Sequence, residues 1–75
     1  MLQVLLFASL RERAGWSKRS LFWSSDYATP RAVWNLLELG SLQGISIAVN
    51  QELVDADQPL RAGDELAFLP PFTGG

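Results

Sequence analysis

Gln3-Val4-Leu5-Leu6-Phe7 is a short and almost unbroken apolar run. It predicts a strand covered on both faces, and so a central place in a sheet. Leu10 to Ala14 favours a short helix, with Ser9 placed to cap it and Gly15 to stop it. Lys18 to Trp23 predicts a second strand, with Leu21 and Trp23 on one face and Phe22 on the other. Ser24-Ser25-Asp26 has the composition of a loop.

The strongest helical pattern starts at Thr29-Pro30, where threonine caps and proline suits the first helical position. Val33, Leu36 and Leu37 follow at helical spacing and predict the buried stripe, with Trp34 on its flank and Gly40 as the stop. Arg31 and Glu38 are expected to face water. Ile45 to Val49 alternates apolar and polar, placing Ile45, Ile47 and Val49 inward. Asn50-Gln51 is a turn, and Glu52-Leu53-Val54 returns as the second arm of a hairpin. Asp55 to Leu60 connects, Arg61-Ala62-Gly63-Asp64 turns, and Glu65 to Leu69 is a last strand. Leu66 and Phe68 share one of its faces, Ala67 and Leu69 the other.

The order is strand, short helix, strand, main helix, then three strands. It predicts an α+β fold of the β-grasp kind, a mixed sheet of about five strands around one main helix. Residues 1–69 form the body and 70–75 an extended tail. Pro70-Pro71 ends the last strand by removing two ladder donors and setting an extended backbone.

At 75 residues the chain is a single small domain, and 48% apolar with 19% charged residues is a globular balance. It contains neither cysteine nor histidine. That excludes disulfides, zinc-thiolate sites, a cysteine nucleophile and the commonest general base. Six basic and eight acidic residues give no electrostatic footprint for nucleic acid. Arg11, Arg13, Lys18 and Arg19 fall early; Glu52, Asp55, Asp57, Asp64 and Glu65 fall late. Each group is ordinary for a solvated face, and the late acidic group also suits a tail that meets a basic partner. The apolar start, Met1 to Leu10, lacks a signal-peptide pattern and is too short to span a bilayer, so a cytoplasmic protein with no membrane partner is expected.

Little in the body suggests catalysis. Asp55-Ala56-Asp57 and Asp64-Glu65 read as acidic turns before an acid pair or a hard-metal site. Phe7, Phe22, Phe68 and the tryptophans read as core before a stacking platform, because no basic groove accompanies them. There is no glycine-rich phosphate loop. What remains is the ending, Pro70-Pro71-Phe72-Thr73-Gly74-Gly75. The expectation is a free α-carboxylate on Gly75, carried on two glycines narrow enough to thread into another protein. A carboxylate is a poor electrophile until an ATP-using partner converts it to an acyl adenylate. A sulfur nucleophile then leaves a thiocarboxylate, and an amine leaves an amide. Docking of the body brings the tip to its reaction, with Phe72 as an apolar anchor.

Three segments resemble one family, the small subunits of molybdopterin synthase, which are ubiquitin-like sulfur carriers. They are Leu6 to Gly15, Ile47 to Glu52, and Gly63 to Gly75, the last being the most specific. The resemblance implies adenylation of Gly75 by an E1-like adenylyltransferase and thiocarboxylation from a sulfur-donor enzyme. The tail would then enter the large synthase subunit, in a complex of two large and two small subunits. There sulfur would pass to a pyranopterin precursor to form molybdopterin. Catalytic residues of that step would belong to the large subunit. This chain would bind no cofactor itself, ATP being used by the adenylating partner. Gly74 and Gly75 match the reactive tail, Pro70, Pro71, Phe72 and Thr73 the inserted stalk, and Phe68 and Leu69 a docking surface. Two positions depart from the pattern: Phe72 replaces a more usual aliphatic residue, and Gln51 replaces a glycine that often follows the asparagine. Related alternatives are the sulfur carrier of thiamine biosynthesis and a ubiquitin-like modifier joined to lysines. A plain interaction domain is the alternative without chemistry at the tail.

Overall fold

The computed structural model describes residues 1–71. Its elements are β1 (Leu2–Leu6), α1 (Ala8–Ala14), β2 (Lys18–Leu21), a 3-10 turn (Ser25–Tyr27), α2 (Pro30–Leu37), β3 (Ser46–Val49), β4 (Glu52–Val54) and β5 (Glu65–Leu69). The first and last strands pair in parallel, Val4 beside Leu66 and Leu6 beside Phe68. β2 adds antiparallel to β1, and β3 adds antiparallel to β5 and carries β4. The sheet order is therefore β2-β1-β5-β3-β4, the mixed β-grasp arrangement expected from the element order.

One face of the sheet carries the core. Leu2, Val4 and Leu6 of β1 and Leu66 and Phe68 of β5 are buried there with Ile47 of β3. α2 covers them with Pro30, Val33 and Trp34, while Leu37 is half-buried. Leu10 of α1, Leu39 and Leu60 close the edges. Full burial of each large apolar side chain contributes about 1.5–3 kcal/mol before the cost of chain ordering.

Several details differ from the sequence pattern. The buried stripe of α2 runs Pro30, Val33, Trp34, Leu37, at i, i+3, i+4, i+7. Trp34 is thus core rather than flank, and Leu36 is 53% exposed. Pro30 recruits Trp34 because both lie on the side of the helix that meets the sheet. Thr29 caps as expected, its hydroxyl accepting from Ala32 N at 3.2 Å. The helix stops earlier than Gly40, at a left-handed Glu38. α1 begins at Ala8 with φ +51°, so Ser9 lies inside the helix and the capping position falls to Phe7, which makes no side-chain cap. Gly15 closes α1 in the left-handed conformation, as expected.

β1 is covered completely on one face only; Gln3 and Leu5 on the other are half-buried. β2 ends at Leu21, short of Trp23. Phe22 (78% exposed), Phe7 (44%) and Trp23 (40%) are consequently surface residues and not core. The β3–β4 hairpin turns through Asn50 (φ +51°) and Gln51 (φ +71°), both positive as a two-residue primed turn requires. Asn50 locks that turn to the start of β5: its Nδ2 donates to Asp64 Oδ1, and its Oδ1 accepts from Glu65 N. Among the described residues no helix is long and apolar enough to cross a membrane.

Candidate functional site: an open sheet face beside the tail root

The face of the sheet opposite α2 has no covering layer among the described residues. Strand alternation and register set out one row across it: Lys18, Leu5, Ala67, Ala48, Leu53. The two alanines at its centre are flanked by larger side chains. The result is a shallow depression of about 440 Å³ bordered by Leu5, Phe7, Leu53 and Leu69, with Gln51 and Glu65 as polar rim. Leu53 is 77% exposed. An apolar concavity on a sheet face with one charged rim residue has the character of a protein-docking surface.

The chain leaves β5 at the edge of this face. Leu69 is the last strand residue, and Pro70 and Pro71 follow outside the ladder. A small apolar groove of about 250 Å³ lies beside them, lined by Phe7, Ala8, Leu69 and the two prolines. The left-handed backbone at Ala8 is the device that turns the chain from strand to helix here. A second groove of about 410 Å³ borders the prolines, between α1 (Ser9, Leu10, Arg13) and the loop that carries Ser41, Gln43 and Ile45.

Of the expected site residues, Leu69, Pro70 and Pro71 are brought together at the tail root. Phe68 is not with them: it points into the core, is completely buried, and has no surface to offer a partner. The open apolar face beside the tail root is lined instead by Phe7, Leu5 and Leu53, expected from the sequence as core or as an ordinary strand. The signal was present in the alternation, because residues one register step from the core positions line the opposite face. Phe72, Thr73, Gly74 and Gly75 lie outside the described residues. The acidic residues also sit differently from expectation. Glu65 opens β5, four strand residues or roughly 13 Å from its end, and Glu52 pairs with Val49 near that same far end. The charged residue bordering the tail root is the basic Arg13.

Electrostatics elsewhere are modest. Arg31 forms a two-point contact with Asp57 (3.0 and 3.4 Å). The hydrogen bond and charge of Arg31 hold the Asp57 carboxyl below its ordinary range. Asp64 accepts from Asn50 Nδ2 and Arg61 N, and Asp55 accepts from Asp57 N. These acidic turns are therefore occupied by local bonds, and no group of three or more metal-ligating side chains occurs among the described residues. A depression of about 450 Å³ lined by Asn50, Glu52, Arg61 and Asp64 lies at this far end. Within its wall Asn50 and Asp64 are already bonded to each other, and Val49, Val54 and Pro59 supply much of the rest.

A mixed β2-β1-β5-β3-β4 sheet clasping one helix, with an open apolar face and a proline-led chain end beside it, defines a ubiquitin-like β-grasp protein. The profile of the ThiS family matches residues 4–75, and the chain belongs to that family. It is 42% identical to the molybdopterin synthase sulfur carrier subunit of Escherichia coli over the full length of both chains. Among solved structures, SAMP1 from Haloferax volcanii superposes with a TM-score of 0.79 at 28% identity, covering 99% of this chain and 98% of that one. The complex of subunits 1 and 2 of molybdopterin-converting factor from Helicobacter pylori contains a chain of the same fold. That match has a TM-score of 0.65 at 24% identity and covers 99% of this chain and 97% of that one. The resemblance drawn from the three sequence segments is thus borne out.

Proposed function

We propose that this protein is the sulfur carrier of molybdopterin synthesis and that Gly75 is its working residue. The observation that carries the reading is the 42% identity to a molybdopterin synthase sulfur carrier subunit through the whole chain. The placement of the tail root beside an open docking face supports it. The Gly75 carboxylate attacks the α-phosphorus of ATP on an E1-like partner, releasing pyrophosphate and leaving an acyl adenylate. Hydrosulfide supplied by a donor enzyme attacks the carbonyl carbon, AMP leaves, and loss of the S–H proton gives a thiocarboxylate. The large synthase subunit then receives the tail and supplies the catalytic groups that pass sulfur to the pyranopterin precursor. The Helicobacter pylori complex of two such subunits supports a partner of this kind. This chain contributes docking energy and reach, and the adenylating partner uses the ATP, which fits a cytoplasmic reaction.

Intact mass spectrometry tests the proposal after incubation with an adenylating partner, ATP and a sulfur source. Replacement of one oxygen by sulfur, mapped to Gly75, is the expected result. Amide adducts on lysines of other proteins would mark a modifier instead. A mass that stays unchanged with active partners would leave a plain interaction domain.

A further inference from the structure

We propose that Glu65 is a specificity-determining residue for the adenylating partner. The open sheet face takes a partner surface that is apolar opposite Leu5 and Leu53 and presents one basic side chain to Glu65. The inference rests on the function proposed above and adds the chemistry of the surface that meets this face.

Among the acidic residues only Asp64 and Glu65 are half-buried; the others are exposed. Asp64 is satisfied within the chain, accepting from Asn50 Nδ2 at 3.0 Å and from Arg61 N at 2.8 Å. The backbone N–H of Glu65 donates to Asn50 Oδ1, but its carboxylate has neither a hydrogen-bond donor nor an ion pair among the described residues. Register and strand alternation put Gln3 beside it on the same open face. Gln3 Nε2 donates to Ser20 Oγ at 2.8 Å, while Gln3 Oε1 is closed off from solvent and accepts nothing. Two neighbouring acceptors on adjacent strands therefore lack donors. Buried acceptors are ordinarily partnered, and a partly buried carboxylate without a cation is costly. A docked basic side chain removes that cost, and a guanidinium suits the pair of acceptors because it carries five N–H donors and no acceptor.

The position of Glu65 makes such a contact selective. It opens β5, roughly 13 Å from the strand's last residue, Leu69. Apolar burial is non-directional, so the row of Leu5, Ala67, Ala48 and Leu53 fixes neither the rotation nor the register of a partner. A charge pair at one end of the face fixes both. Lys18, the basic residue of this face, sits two strands away beside Leu5 and forms no ion pair with Glu65. A basic partner side chain is thus drawn towards Glu65 and away from Lys18, which sets one orientation of docking.

Calorimetric titration of the full chain with the E1-like partner, at low and at raised salt, tests this. Glu65→Gln keeps the shape and removes the charge. It is expected to weaken binding about tenfold at low salt and to flatten the dependence on salt. Glu65→Lys is expected to weaken binding about a hundredfold or more, because like charges then face each other. Glu52→Gln makes the same change of charge on the helix-covered face, where Glu52 pairs with Val49. It is expected to bind within about twofold of wild type. Thermal melts confirm that each variant is folded; should Glu65→Lys fail to fold, Glu65→Gln decides. Wild-type affinity in Glu65→Gln overturns the inference, and so does an equal loss in Glu52→Gln, which would mean a diffuse field and not a contact. Sedimentation in which the wild-type chain self-associates and Glu65→Gln does not would make Lys18 of a second copy the cation, and overturn it as well. A wild-type chain that an active adenylating partner neither binds nor adenylates would instead refute the proposed function.

Discussion

Trp34 lies against Phe68 with ring centroids 4.9 Å apart and planes tilted by 58°. This tilted contact joins the single main helix to the last strand, one residue before that strand gives way to the tail root. Both side chains are essentially inaccessible. Phe68→Ala removes the ring and leaves a cavity the helix cannot fill, at a cost of about 3–5 kcal/mol. A domain this small holds only about 5–15 kcal/mol in total. Urea denaturation should show the midpoint falling sharply or the transition disappearing, and partner binding should be lost only together with the fold.

The same pair marks what the sequence does and does not disclose. The period-two alternation of Ile45 to Val49 and the Thr29-Pro30 start are local signals, so β3, α2 and the element order were legible. The final strand matched to the residue because Pro70 cannot extend the ladder. Trp34 and Leu36 exchanged roles because helix rotation is settled by tertiary packing, and Pro30 counted as core only once the sheet was in place. The open apolar face was hidden for a related reason. Leu5, Ala48, Leu53 and Ala67 are far apart in sequence and become neighbours only through register. The late acidic run looked close to the tail because residue number is not distance along a folded chain; β5 carries Glu65 and Leu69 to opposite ends of the sheet.

Leu53 and Phe22 are almost equally exposed, 77% and 78%, yet they should behave differently. Leu53 borders the depression beside the tail root. Phe22 follows β2 beyond the Leu2–Leu21 pair, at the far end of the sheet. Leu53→Asp should leave stability within about 0.5 kcal/mol, since nothing buried is disturbed. It should weaken binding of the adenylating partner by at least about tenfold, or 1.4 kcal/mol. Phe22→Ser should change neither. Calorimetric titration of both variants checks the placement of the face, and equal losses in the two would remove it.

The Arg31–Asp57 pair gives a prediction for pH. The Asp57 carboxyl is held below its unfolded value, first by its hydrogen bond from Arg31 and then by that residue's charge. A lowered folded-state pKa stabilises at pH above the unfolded carboxylate value and is lost as pH falls through the folded one. Arg31 is shifted upward, which matters only in strong alkali. Asp57→Asn should therefore lower Tm slightly at neutral pH and converge with wild type in acid. The pair is exposed and screened, so added salt should shrink the neutral-pH difference. A difference that persists in acid would mean that Asp57 acts through something other than its charge.

Gln51 holds φ at +71°, a conformation that costs a side-chain-bearing residue energy. Its neighbour Asn50 tolerates the same region and adds three bonds to Asp64 and Glu65. Gln51→Gly should relieve the strain without touching those bonds and raise stability by about 0.5–1 kcal/mol. The midpoint of urea unfolding should rise with an unchanged slope. A lower midpoint would mean that the Gln51 side chain contributes more on the rim of the open face than its backbone costs.

Deleting Gly75 is the sharpest test of the carrier reading. The buried core runs from Leu2 to Phe68, so the truncated chain should unfold at the same denaturant concentration as the full one. It would still end in a glycine carboxylate, chemically equivalent to the original. The difference is reach: one residue of extended chain is about 3.3–3.6 Å. With the body docked through the sheet face as proposed, it would not follow the tip inward. The carboxylate would then stop short of the roughly 3–3.5 Å approach that reaction requires, and adenylation should fall by about a hundredfold or more. Binding of the partner should change little, which separates reach from docking. A truncated chain that still supported molybdopterin formation at the wild-type rate would mean that sulfur is not carried on Gly75.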